Sequence, residues 1–121
     1  MATWTEVKQY VFQNYKVEQD NGQSLMVNLS GGGRSQLVFL MNINDLIVFN
    51  SPVAKVGEVP PGKVLTSAPL FGVVQSDDYY SLRHVVLLST LDTAELDLAI
   101  LEFGQAADSL EAELSGGGDQ F

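Results

Sequence analysis

From Leu91 to Leu114 apolar residues return every three or four positions, the longest strongly periodic stretch of the chain. Advanced by about 100° per residue, Leu96, Ile100, Phe103, Ala107, Leu110 and Leu114 fall on one narrow stripe, which predicts a helix laid on a core. Thr90, Asp92 and Thr93 are candidate caps, since each side chain can accept from a free N–H of the first turn. Gly116 stands where a left-handed residue commonly stops a helix. On the far side Ala94, Leu98 and Leu101 make a second, shorter apolar patch. Acids border it, with Glu95, Glu102 and Glu113 along one edge and Asp97, Asp108 and Glu111 along the other. A surface helix needs one apolar face, so either neighbouring loops or another polypeptide must cover the second.

A shorter helix opens the chain. Trp4, Val7, Val11, Phe12 and Tyr15 recur at helical spacing over about residues 3–15, with Thr3 or Thr5 as cap, and their stripe reads as core. The period then falls to two. Asn21-Gly22 is the preferred pair for a type I′ turn, so Lys16–Asp20 and Leu25–Ser30 predict a hairpin. Gly31-Gly32-Gly33 ends its second strand, and Arg34–Met41 follows, apolar on both faces from Leu37. Asn42, Asn44 and Asp45 supply a turn before Leu46–Phe49. Pro52 opposes regular continuation, although Val53–Val56 can resume at an edge or after a bulge.

Beyond Pro60-Pro61-Gly62, Lys63–Ala68 predicts a short helix that Pro69 ends. Phe71–Gln75 reads as a strand, Ser76-Asp77-Asp78 as a turn, and Tyr79–Leu88 as a longer strand leading into the last helix. The expected class is α+β: a twisted antiparallel sheet of about five strands, the N-terminal and long C-terminal helices on one face, the short helix in the middle. Residues 1–115 form one domain in this reading, and 116–121 a flexible glycine-rich tail. One sheet face is left without helices.

Composition narrows the function. The chain has 121 residues and no cysteine, so it holds neither a disulfide framework nor a thiolate nucleophile. No basic-then-apolar leader opens it and no apolar run approaches a membrane span, so a soluble, cytoplasmic protein without a membrane partner is expected, and Asn28-Leu29-Ser30 reads as a chance glycosylation triplet. Residues 1–84 carry six basic and seven acidic groups, whereas 85–121 carry eight acids and no Lys or Arg, so nearly all of the net −9 lies in the last helix and tail. That field repels phosphate backbones, which argues against nucleic acid.

The chemical inventory is thin. His84 is the one histidine, and Asp77-Asp78 is too little for a carboxylate cage, so neither metal nor other cofactor is implied. No Gly-x-Ser-x-Gly elbow positions a serine against His84, whose alternation with Leu82, Val86 and Leu88 reads as a sheet-face or core histidine. Gly31-Gly32-Gly33 and Pro61-Gly62-Lys63 lack the pattern of a phosphate loop and read as turns. Tyr79-Tyr80 reads as a strand start.

The order helix, three or four strands, short helix, two strands, long helix resembles the type III secretion chaperone-like fold and its YbjN-like, cyanobacterial-type relatives. Tyr80-Ser81-Leu82-Arg83-His84-Val85-Val86-Leu87-Leu88 running into Leu91-Asp92, then Ala107-Asp108-Ser109-Leu110-Glu111, carries the likeness most concretely. The resemblance implies a protein-binding or regulatory module, often dimeric, and transfers no functional residue.

Together these readings give a non-enzymatic interaction module that binds a protein segment or a second copy of itself. Its expected surface is the open sheet face, represented by Val38 and Leu40, with the Ala94/Leu98/Leu101 patch. The alternative is a small enzyme or ligand-binding domain with a pocket near His84, Arg83 and Tyr80.

Overall fold

In a computed structural model, which describes residues 3–31, 34–59 and 72–115, two helices cover one face of an antiparallel sheet. The order is α1 (Trp4–Asn14), β1 (Lys16–Asp20), β2 (Ser24–Gly31), β3 (Arg34–Ile43), β4 (Leu46–Lys55), β5 (Gly72–Ser76), β6 (Tyr79–Leu87) and α2 (Thr93–Ser115). The class is α+β as expected, but the sheet has six strands, in the order β1-β2-β3-β4-β6-β5, rather than about five. The short helix expected at Lys63–Ala68, the Gly116 stop and the tail lie outside the described residues.

Both helices form where the periodicity placed them. Thr3 caps α1 by accepting from the Glu6 N–H at 3.2 Å, and Asp92 caps α2 by accepting from the Glu95 N–H at 2.8 Å. The whole predicted stripe of α2, Leu96 through Leu114, is buried. In α1 the stripe is narrower than expected, because Trp4, Val7 and Val11 are buried while Phe12, one residue round the wheel, is half exposed. Trp4 Nε1 donates to the Gly22 carbonyl at 2.8 Å, pinning the start of α1 to the first hairpin.

That hairpin turns one residue later than Asn21-Gly22 suggests. Asn21 N–H donates to the Ser24 carbonyl at 2.9 Å, and of the intervening pair only Gly22 has positive φ, at 88°. Glycine alone at the first central position is the mark of a type II′ turn rather than I′. Asp20 stabilises it by accepting from the Gly22 N–H and pairing with Lys8 at 2.9 Å; the lysine first, then the amide, hold its carboxyl below the usual range.

β4 passes Pro52 in mid-sheet by means of a bulge. The register to β6 shifts between Pro52 and Ala54, so a residue without an N–H is absorbed where the ladder is already interrupted. The buried Gln36 amide donates to Ser51 Oγ at 2.7 Å and to the Pro52 carbonyl at 2.9 Å across this irregularity. α2 runs unbroken through Gly104, and the glycine has a packing reason. A Cβ there would lie 2.2 Å from Leu29 Cδ1 and 3.4 Å from Val38 Cγ2, so its absence lets the helix sit close on β2 and β3.

Candidate interaction surface

Strand alternation decides which side chains meet the helices. Leu25, Val27, Val38, Leu40, Ile47, Phe49 and Leu82 face inward and are buried with the stripe of α2. Val38 and Leu40, expected on the open face, are therefore core residues, each 0% exposed. β3 is apolar on both sides, so its composition does not say which parity faces out; its pairing does. Phe39 and Met41 lie opposite Asn50 and Val48, and these opposite Arg83 and Val85, on the side away from the helices.

On that outer side the ladder sets residues in rows. Ile43, Leu46 and Leu87 form one, Met41, Val48 and Val85 the next, and Met26, Phe39, Asn50 and Arg83 a third. Among the described residues no helix covers them. Ile43 is 46% exposed, Leu46 36%, Val85 45% and Leu87 52%. Phe39 and Met41 also line an open depression of about 420 Å³, together with Leu37, Asn50, Pro52 and Tyr79. At the upper margin Asp45, in the β3–β4 turn, accepts from Ser89 N–H at 3.0 Å and Ser89 Oγ at 2.8 Å, fixing that turn to the end of β6. The apolar rows thus sit on a braced sheet rather than a loop.

Charge on this side is sparse. Arg83 stands amid the rows, half-buried, with Nε donating to Asn50 Oδ1 at 3.0 Å. Lys8, Lys16 and Arg34 each pair with an acid, whereas Arg83, amid the rows, and Lys55, at the end of β4, have no acidic partner among the described residues, and Asp77 lines the depression.

The helix patch lies where it was expected. Ala94 is exposed, Leu98 is 57% and Leu101 53% exposed, and no described loop covers them. Its two acidic edges differ. Asp97 accepts from the hydroxyls of Tyr10 (2.5 Å) and Tyr15 (2.6 Å), tying α2 to α1. Burial and then the hydrogen bond to Asp97 push the Tyr15 phenol well up; for Tyr10 the hydrogen bond leads. Asp108 accepts from Arg34 Nε at 3.0 Å, and Glu111 is buried with Arg34 Nη2 at 3.7 Å. This edge joins elements of the fold. Only Glu95, Glu102 and Glu113 turn their carboxylates to solvent.

The three residues expected around a His84 pocket do not share one face of the sheet. His84 and Tyr80 face inward, but Arg83 lies between them in sequence and so projects from the opposite side. His84 packs with its ring 6.0 Å from Phe49 and 6.5 Å from Phe103, and Ser81 is on the outer side. Among the described residues no three of His, Asp and Glu gather as a metal ion requires, and no helix is long and apolar enough to cross a membrane. No family model, curated protein or solved structure matches the chain.

Sequence reasoning missed Ile43, Leu46, Val85 and Leu87. The available signal was Arg83: on a strand with period two, the parity of a lone charge marks the outward side, and Val85 and Leu87 share it.

Proposed function

We propose that the chain is a non-enzymatic protein-binding module, chaperone-like or regulatory, and that its working surface is the outer sheet face. The observation that carries this reading is the continuous block of exposed Ile43, Leu46, Val85 and Leu87 on braced strands. Exposed contiguous apolar patches of this kind mark contact sites. Strands about 4.8 Å apart and advancing 3.3 Å per residue give β2, β3, β4 and β6 a plan area of roughly 500 Å², much of the roughly 800 Å² per partner in a standard interface. Removing the apolar part of that face from water supplies on the order of 5 kcal/mol before association costs. The net charge of −9 disfavours nucleic acid and anionic lipid and leaves protein as the partner. The likeness of the layout to type III secretion chaperone-like proteins points the same way.

A photo-reactive amino acid placed at Leu87, and separately at the solvent-facing Gln13 of α1, tests the reading in the native cell. Protein adducts from position 87 and none from position 13 are expected. No adducts at 87, or equal adducts at both, would overturn it.

A further inference from the structure

We propose that the occupant of the outer sheet face is the Leu98 ridge of α2 from a second copy of this chain, joined head to tail; this rests on the reading of that face as a docking surface. Both halves of such a contact are present. One is a depressed apolar sheet in which Arg83, amid the rows, has no acidic partner among the described residues. The other is an exposed helical ridge in which Glu95 precedes Leu98 by three residues and Glu102 follows it by four. Those spacings put both carboxylates on the same side of the helix as Leu98, one turn above and one below. Leu98 seated on Phe39 and Met41, with the helix crossing the strands, brings one of these carboxylates toward Arg83, two strands away, in either polarity.

The remaining charges agree with this pairing. The other acids beside the ridge, Asp97 and Asp108, are held by the tyrosines and Arg34, so the edge able to meet a base is the one carrying Glu95 and Glu102. A second concavity of about 380 Å³, beside Leu101 and bounded by Leu29 and Arg34, leaves the lower end of the ridge raised above its surroundings.

Leu98 lies about 200° round the helix from the buried Leu96, so the ridge points away from the sheet and the two surfaces occupy opposite sides of the molecule. A contact between different surfaces does not close on itself in a pair. Each added copy leaves one ridge and one sheet free, and growth continues past the dimer.

Sedimentation velocity on the full chain, from micromolar to near-millimolar concentration, tests this with two double variants. The wild type is expected to grow beyond dimer. L98E/L101E and V85E/L87E are each expected to stay monomeric with unchanged circular dichroism, and their equimolar mixture to form dimer and stop, since only one intact ridge and one intact sheet remain. V85S/L87S replaces the second variant if glutamates unfold it. R83E is expected to weaken association at least tenfold, with recovery when mixed with E95K/E102K. Self-association retained by L98E/L101E but lost by V85E/L87E would overturn the head-to-tail arrangement while leaving the sheet as docking surface. Association retained by V85E/L87E would overturn both readings. A wild type monomeric throughout would overturn this inference alone, the adducts at position 87 then deciding whether the sheet serves a different protein.

Discussion

Replacing Tyr15 by Phe removes one hydroxyl and leaves the ring, which makes it a clean probe of the joint between the two helices. Asp97 Oδ1 loses the bond it accepts at 2.6 Å, while Oδ2 keeps Tyr10. A hydrogen bond to a charged group contributes about 1.5–3 kcal/mol, and solvent at this half-exposed ring reduces that to about 1 kcal/mol. For a chain of this size that is a fall in Tm of about 4 °C. The sign of the pH dependence follows from the raised phenol pKa, caused first by burial and then by the bond to Asp97. A phenol donates only while protonated, so its contribution is whole below the unfolded value near 10 and is lost as pH climbs toward the higher folded value. Urea unfolding followed by fluorescence of Trp4, the one tryptophan, reads the difference directly. The gap between wild type and Y15F is expected to hold from pH 8 to about 10 and then to shrink. A gap unchanged to pH 11, or no gap at pH 8, would refute the role given to this bond; Asp97→Ala should lose more than Y15F at pH 8.

Two residues of β6 separate the faces of the sheet: Leu82→Ala, at 0% exposure, is expected to cost about 2–5 kcal/mol in urea unfolding, whereas Val85→Glu with Leu87→Glu should cost no more than about 1 kcal/mol. At Gly104 the crowding atom is the movable end of Leu29, so Gly104→Ala should stay within about 1 kcal/mol of wild type as helix propensity offsets the contact. Gly104→Val adds branches toward Val38 as well and is expected to lose about 2–3 kcal/mol by the same assay, and an unchanged Tm would show that the helix does not press there.

Period was the most legible property of the sequence. The stripe of α2 and the resumption of β4 after Pro52 follow from residue spacing and the chemistry of single side chains, while the cap of α2 was narrowed to Thr90, Asp92 or Thr93, of which Asp92 serves. Parity was not legible on β3, where Leu37, Phe39 and Met41 compete with Val38 and Leu40 on equal apolar terms. There the side facing the helices is fixed by pairing with β2, whose Leu25 and Val27 lie opposite Leu40 and Val38. Pairing is a long-range property that no window along the chain contains. The same limit hid the burial of Gln36 and Glu111, both polar residues set against groups brought in from distant segments. Leu98 and Leu101 were legible because an isolated helix presents its whole circumference to inspection, whereas a sheet face exists only once strands have met.

Docking on the outer face of the sheet requires that face to be open to water in the lone molecule. Methyl NMR with a soluble paramagnetic agent, on dilute protein, measures this side chain by side chain. Strong relaxation at Ile43, Leu46, Val85 and Leu87, with Val38, Leu40 and Ile47 shielded, is the expected result. Equal shielding of the two groups would mean that the chain already covers this face itself, and would contradict its assignment as a docking surface.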